Sequence, residues 1–81
     1  TARKQVRRTR ITEMSIRIVL NGTPQDVTAG MSVLDFLQSR SIDPSHVVVE
    51  VNRSIINRDE FENCRFKDND TVEILRFVGG G

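Results

Sequence analysis

The sequence contains no tryptophan, no tyrosine and only one cysteine in 81 residues. Without these aromatic side chains, on which bases could stack, a single-stranded nucleic-acid site is disfavoured. The lone Cys64 cannot form an internal disulfide or complete a multi-thiolate metal site, and a single histidine makes structural zinc impracticable. Because cysteine is scarce and no apolar leader opens the chain, we expect a reducing, cytoplasmic setting.

Long apolar runs are missing as well. The longest, residues 18–20 and 47–49, fall far short of the roughly 20 apolar residues that span a bilayer, so we expect no membrane segment. The chain is long enough for one small domain. A core of that size rarely encloses a deep, water-excluding pocket, which argues against an enzyme that works alone.

The formal net charge of +1 hides an uneven distribution. Residues 1–13 carry five basic side chains and one acidic one, whereas the remainder carries seven basic and ten acidic. Residues 1–13 show little hydrophobic periodicity, so we predict a flexible basic segment there and interpret it as a leader or a cloning remnant. Regular patterning begins just after Met14, where the folded domain is predicted to start.

The first patterned segment predicts a β-hairpin. Ile16, Ile18 and Leu20 alternate with polar residues, which is typical of a half-buried strand. The dipeptide Asn21-Gly22 tolerates positive φ at both positions and predicts a tight turn into a second strand over residues 25–28.

A helix is predicted over residues 33–40. Ser32 is a suitable N-cap, and Asp35 in the first turn favours the positive end of the helix dipole. Apolar residues at helical spacing form one stripe: Val33, Leu34, Phe36 and Leu37. Pro44 disfavours helix in the residue before it and is expected to end this element.

The second half of the sequence predicts three more strands. Residues 46–52 form a central strand with Val47, Val49 and Val51 on the core face, and Ile55-Ile56 form a short one. One helical turn, a loop and a polar turn follow, and the last strand covers residues 71–78.

This order of elements predicts the fold class. Two hairpin-like β segments flank one helix, which needs a sheet face on which to bury its apolar stripe. A mixed sheet of four or five strands packed on one main helix satisfies every segment: an α+β, ubiquitin-like β-grasp domain over residues 14–78. Its first and last strands are expected to lie parallel at the centre of the sheet.

Three glycines, Gly79, Gly80 and Gly81, follow the last predicted strand. Without Cβ atoms such a tail is flexible and thin enough to enter a narrow cleft. The carboxylate of Gly81 is then a handle that becomes a good acyl group once it is phosphorylated or adenylated. A frayed end or a cloning scar is the alternative, but the position directly after a β-grasp strand favours function.

Several segments resemble the ThiS family, the sulfur carrier proteins of thiamin biosynthesis. They are residues 14–22, residues 49–52, Arg58 with its acidic followers, and residues 70–81. The resemblance covers residues 14–81. Three features depart from the pattern: Asn69-Asp70 stands where the family often has Gly-Asp, the basic residues 1–13 lie outside it, and the chain shows three glycines where many members have two.

The resemblance implies a mechanism in which the protein has no catalytic residue and binds no cofactor of its own. An E1-like adenylyltransferase would use ATP and Mg²⁺ to adenylate Gly81, with Gly79 and Gly80 threading the tail into its active site. A persulfide sulfur derived from cysteine would displace AMP and leave a thiocarboxylate. Thiazole synthase would then take up the sulfur.

Strand alternation also predicts a docking surface. Val72 and Ile74 are expected to face the helix, which places Glu73, Leu75 and Phe77 on the outer side. An outward Leu and Phe beside a reactive tail are candidates for a patch that partner enzymes contact. Ordinary scattered surface apolar residues are the alternative interpretation.

Other reactive side chains are given structural or incidental roles. Cys64 has no neighbouring base in the sequence, and His46 has no partner that the sequence identifies. The acidic residues Asp59, Glu60 and Glu62 are interpreted as a solvated loop rather than a cation site.

Other functions stay open at this point. The small subunit of molybdopterin synthase would use the same tail to deliver sulfur to a pterin. A ubiquitin-like modifier or adaptor would conjugate the tail to lysine or dock beside it. A β-grasp nucleic-acid module would use the basic segment, but the absence of tryptophan and tyrosine and the scattered positions of the four phenylalanines count against it. We expect no nucleic acid and no membrane among the partners.

Overall fold

The structure of the protein is a computed structural model that describes residues 14–77. The predicted basic segment 1–13 and residues 78–81, with the three glycines, lie outside the described residues. The strands are β1 (Ser15–Leu20), β2 (Thr23–Thr28), β3 (Val47–Val51), β4 (Ser54–Ile56) and β5 (Thr71–Arg76), and the helix α1 is Val33–Ser39. Two short 3-10 turns occupy Pro44–His46 and Arg58–Glu60.

All five strands belong to one mixed sheet in the spatial order β2-β1-β5-β3-β4. β1 and β5 pair in parallel at the centre, and the other neighbours are antiparallel. The predicted fold, a mixed sheet with its first and last strands parallel at the centre and one main helix, is confirmed.

Both hairpins turn on residues with positive φ. Asn21 (φ 49°) and Gly22 (φ 84°) form the predicted turn, and β2 begins two residues earlier than expected because pairing continues up to it. Asn52 (φ 52°) and Arg53 (φ 72°) repeat this backbone between β3 and β4. Asparagine adopts such a conformation readily, whereas the arginine was not predictable from its residue preference.

The start of α1 follows the sequence prediction. The hydroxyl of Ser32 accepts a hydrogen bond from the amide of Asp35 at 3.0 Å, and the Asp35 carboxylate accepts one from the amide of Ser32 at 3.2 Å. This reciprocal capping box satisfies amides that the first helical turn leaves unpaired. Within residues 14–77 no helix is both long and apolar enough to cross a membrane.

The sequence prediction placed the end of the helix one residue too late, and it attributed that end to Pro44. α1 ends at Ser39, because Ser41 adopts a left-handed conformation (φ 57°). The amide of Ile42 then donates to the carbonyl of Leu37 at 2.8 Å, and that of Ser41 to Gln38 at 3.1 Å. This is a Schellman closure, which satisfies the last carbonyls before Pro44 is reached.

The core lies between α1 and one face of the sheet. Phe36 of the helix and Phe66 of the loop before β5 meet edge to face, with ring centroids 5.9 Å apart. The buried apolar side chains are Ile18, Val27, Val33, Phe36, Leu37, Val47, Val49, Phe61, Phe66 and Val72. These residues cover only one face of the sheet, and the other face carries exposed apolar side chains that a partner could contact.

Candidate functional site

β5 is the strand that leads towards the glycine tail. Gly79, Gly80 and Gly81 lie outside the described residues, so their roles in threading and attachment stay predictions. The structure describes this strand and the residue after it, Phe77. The candidate site therefore comprises the end of β5 and the sheet face that this strand exposes.

We call the sheet face turned away from α1 the outer face. Val72 is fully buried, Ile74 packs against the core, and Glu73, Leu75 and Phe77 point to the opposite side. The side chain of Leu75 is 55% exposed and that of Phe77 is 46% exposed. The predicted placement of these three residues is confirmed, while their role in docking stays a prediction.

Neighbouring strands add apolar residues to the outer face that the sequence analysis did not single out. Val48 of β3 pairs directly with Leu75, and Ile55 of β4, which is 64% exposed, pairs with Glu50. Alternation around the buried Val47 and Val49 could have located Val48. We refer to Val48, Ile55, Leu75 and Phe77 together as the outer patch.

The side chain of Asn21 holds the exit end of β5 on the side of β1. Its amide nitrogen donates to the carbonyl of Ile74 at 3.2 Å, and its oxygen accepts from the amide of Ile74 at 2.9 Å. The side chain therefore continues the parallel pairing past Leu20, the last residue of β1. Asn21 thus has a second role besides forming the turn between β1 and β2: it holds β5. Its local sequence preference indicated only the turn.

A second amide secures the beginning of β5. The side chain of Asn52 accepts from the amide of Thr71 at 2.9 Å and donates to the carboxylate of Asp70, also at 2.9 Å. Asp70 is buried, and its other carboxylate oxygen accepts from the amide of Lys67 at 2.8 Å. Asn52 and Asp70 both belong to the segments that resemble the ThiS family. Their hydrogen bonds explain why these residues are suited to their positions, because the bonds fix the residue at which β5 starts.

His46 lies opposite the end of β5. Its carbonyl accepts from the amide of Phe77 at 3.1 Å, which fixes the backbone as far as that residue. The sequence identified no partner for the His46 side chain, and in the structure its Nδ1 lies 3.8 Å from the carboxylate of Asp43. Hydrogen bonds from the amide and hydroxyl of Ser45 lower the pKa of Asp43, and His46 adds to this shift. Both side chains are exposed, which is consistent with a surface turn rather than a catalytic pair.

An open cleft of about 340 Å³ lies on the helix side of the sheet. It is lined by Leu20, Asn21, Phe36, Arg40, Ile42, Ile74 and Arg76, a set without a nucleophile or a general base.

Among residues 14–77, no three His, Cys, Asp or Glu side chains lie close enough together to hold a metal ion. Asp59, Glu60 and Glu62 are exposed, as expected for a solvated loop.

Cys64 is half-buried against the core, in the loop before β5. Burial raises the pKa of its thiol, and the carboxylates of Asp70 and Glu60 raise it further. At neutral pH a smaller fraction of Cys64 is therefore thiolate than in an ordinary exposed cysteine. The thiolate is the nucleophilic form of the side chain. This environment favours the structural role over thiol transfer.

The pH dependence of alkylation tests this assignment. In a folded sample treated with iodoacetamide, we expect the Cys64 reactivity to rise with a midpoint above the ordinary thiol pKa of 9.0. A small thiol such as glutathione is the control at each pH. A midpoint below that of the control would instead indicate an activated thiol.

The mixed sheet with its single helix defines a class of protein, the ubiquitin-like β-grasp domain. In the sequence, the three glycines come after its central strand, β5. The model of the ThiS family matches residues 18–81. The chain belongs to the ThiS family. The resemblance drawn from the sequence is thus confirmed.

Individual relatives agree with this assignment. The sulfur carrier protein ThiS of Bacillus subtilis is 36% identical over 50 residues, which cover 62% of this chain and 76% of that protein. The crystal structure of ThiS from Geobacter metallireducens superposes with a TM-score of 0.70 at 32% identity, covering 82% of this chain and all of the other.

A third relative is much longer. The thiazole synthase of Magnetococcus marinus is 30% identical over 66 residues, which cover 82% of this chain but 20% of that protein. The chain therefore spans about a fifth of the length of this relative. The match lies within a protein that bears the name of the expected sulfur acceptor.

Proposed function

We propose that the protein carries sulfur as a thiocarboxylate on Gly81 for assembly of the thiazole ring of thiamin. The observation that carries the proposal is a ThiS-family domain whose central strand, β5, is followed in the sequence, after Phe77 and Val78, by three glycines. A strand held on both sides gives the tail a fixed base. Glycines after it leave a backbone that an active site can close around.

The chemistry requires a separate activating enzyme, proposed to be E1-like and to use ATP and Mg²⁺. The carboxylate oxygen of Gly81 attacks the α-phosphorus of ATP and releases pyrophosphate. The outer sulfur of a cysteine-derived persulfide then attacks the acyl carbon, releases AMP and forms an acyl disulfide. A thiol reduces the S–S bond and leaves the thiocarboxylate. The reducing, cytoplasmic setting expected from the sequence would supply that thiol.

Thiazole synthase is the proposed acceptor of the sulfur. Support comes from the relative of that name, which contains a segment similar to most of this chain. A carrier-like segment within a protein of that name supports transfer of sulfur between the two.

Intact-mass measurement tests the assignment. The full chain is incubated with ATP, Mg²⁺, the adenylyltransferase from the same organism and a persulfide source. We expect replacement of one oxygen by sulfur, located at Gly81 by fragmentation. Adducts joining this chain to other proteins would indicate a modifier, and sulfur transfer to a pterin but not to thiazole would indicate the molybdopterin pathway.

We also propose that the outer face beside the tail docks onto the activating enzyme through Glu73, Leu75 and Phe77. Exposed apolar side chains of this size at the base of a reactive tail are typical interface anchors. The hydrogen bonds of Asn21 and His46 hold the strand that bears them, so their positions are set before an enzyme binds.

Leu75→Glu should raise the KM for the carrier in adenylation by about 10- to 30-fold, which corresponds to loss of an interface anchor. Because Leu75 is more than half exposed, the thermal midpoint should change little. Pyrophosphate exchange and thermal melting measure the two effects.

Met14→Glu is the matched control. Met14 is 64% exposed and precedes the start of β1, at the opposite end of the sheet from Phe77. The same charge is introduced, but adenylation should stay within about twofold of the unmodified protein. An equal loss in both variants, or none in either, would reject the docking surface.

A further inference from the structure

Two glutamates stand directly opposite each other in the outer face. Glu50 of β3 pairs with Glu73 of β5 in the antiparallel register. Side chains in such a pair have Cβ atoms about 4.5–5.5 Å apart, and like charges there destabilise a sheet. The free domain therefore has an unfavourable contact at the centre of an exposed surface.

Within residues 14–77 neither carboxylate has a counter-ion. No basic nitrogen of these residues lies within 4.0 Å of them, the only such pairs there being Arg17 with Asp26 and His46 with Asp43. The other strand neighbour of Glu50 is the apolar Ile55. Nothing in the described fold therefore offsets the repulsion between Glu50 and Glu73.

The outer patch surrounds this acidic pair. The Val48–Leu75 pair is the next one on the same face towards the end of β5, with Phe77 beyond it, and Ile55 flanks the other side. A cation brought there by a partner would be partly desolvated by apolar neighbours. Its attraction to carboxylates would then be stronger than at an open surface.

We propose that the activating enzyme places an arginine or lysine between Glu50 and Glu73 when the outer patch docks onto it. This inference rests on the proposed function, which supplies the enzyme. Residues 14–77 carry seven basic and ten acidic side chains, so the domain as a whole also favours a basic partner surface. A second copy that met this face with its own outer face would fit poorly, because four glutamates would then lie together.

The test is the double variant E50Q/E73Q in the full chain, assayed by pyrophosphate exchange with the same adenylyltransferase. We expect a KM for the carrier about 10-fold higher at low salt, with kcat unchanged. The difference should shrink as the salt concentration rises, because screening weakens the ionic contact in the unmodified protein. D59N/E62Q is the control, since it removes two charges from the exposed loop after β4 and should leave KM within about twofold.

Thermal melting gives a readout that is independent of the enzyme. Relief of the repulsion should raise the melting midpoint of E50Q/E73Q by about 1–4 °C. A fall in the midpoint would mean that Glu50 and Glu73 stabilise the free protein rather than repel each other, and would overturn the proposal.

The kinetic outcomes separate this inference from the proposed function. If the unmodified chain is adenylated and E50Q/E73Q keeps the same KM and salt dependence, the acidic pair has no role in docking. If D59N/E62Q is impaired equally, the effect is one of net charge and the proposal fails as well. If the unmodified chain is not adenylated at all, it is the proposed function that fails.

Discussion

Deletion of Gly81 should lower the rate of adenylation by more than about 10²-fold while leaving the fold intact. The shortened chain still has a carboxylate, on Gly80, but that group is displaced by one residue, about 3.5 Å. Displacements of about 1 Å in a reacting group already slow enzymes by up to about 10²-fold. Pyrophosphate exchange measures the rate, and thermal melting checks the fold.

Gly81→Ala is the companion variant, since it keeps the length of the tail and adds one methyl group. A narrow cleft should tolerate it less well than Gly81 but better than the shortened tail. Adenylation of the shortened chain at the normal rate would show that the acyl group is not carried at this position.

Phe36→Ala is expected to have the largest effect on stability. Phe36 is 2% exposed, packs edge to face on Phe66, and has the guanidinium of Arg40 4.7 Å above its ring. Truncating a buried phenylalanine lowers the free energy of unfolding by about 3–5 kcal/mol. At roughly 0.05–0.15 kcal/mol per residue, that loss is a large part of the stability of so small a domain. Urea denaturation measured near physiological temperature should show that a large part of the Phe36→Ala variant is already unfolded in the absence of urea.

Phe77→Ala is the matched control for this prediction. The same atoms are removed, but from a side chain that is 46% exposed, so the free energy of unfolding should fall by no more than about 1 kcal/mol. Phe77→Ala is instead expected to weaken docking. Equal destabilisation by the two substitutions would mean that Phe77 belongs to the core, and the outer patch would have to be redrawn.

The parts of the fold that depend on neighbouring residues could be predicted. Asn21-Gly22 specifies its own turn, and Ser32 with Asp35 specifies its own helix start. The alternation of β5 located Leu75 and Phe77 on the exposed face, because a strand has only two faces and Val72 identifies the inner one. Each of these predictions uses information within a few residues of the chain.

The contacts that secure β5 could not be predicted in that way. Asn52 and Asp70 are 18 positions apart, and Asn21 and Ile74 are 53 apart, so no local pattern connects them. Ser41 and Arg53 adopt left-handed conformations for which their residue types have little preference. At these positions the tertiary fold decides the conformation, and the sequence alone showed only that polar residues were present.

The acidic pair of the candidate site falls between these cases. Glu50 and Glu73 could each be assigned to an exposed face by alternation, but their pairing depends on the register of β3 against β5. The hydrogen bond from the amide of Thr71 to the side chain of Asn52 fixes this register where β5 begins. A site made from two strands becomes visible only when their alignment is known.

The central position of β5 has a consequence for synthesis of the protein. β5 joins the β1–β2 hairpin to the β3–β4 hairpin, although it follows all four of these strands in the sequence. Until Thr71–Arg76 has been synthesised, the strand that joins the two hairpins is missing, and an isolated hairpin is at best marginally stable in water. A chain that ends before Thr71 therefore cannot form the sheet, and the complete domain folds only once its last strand is available.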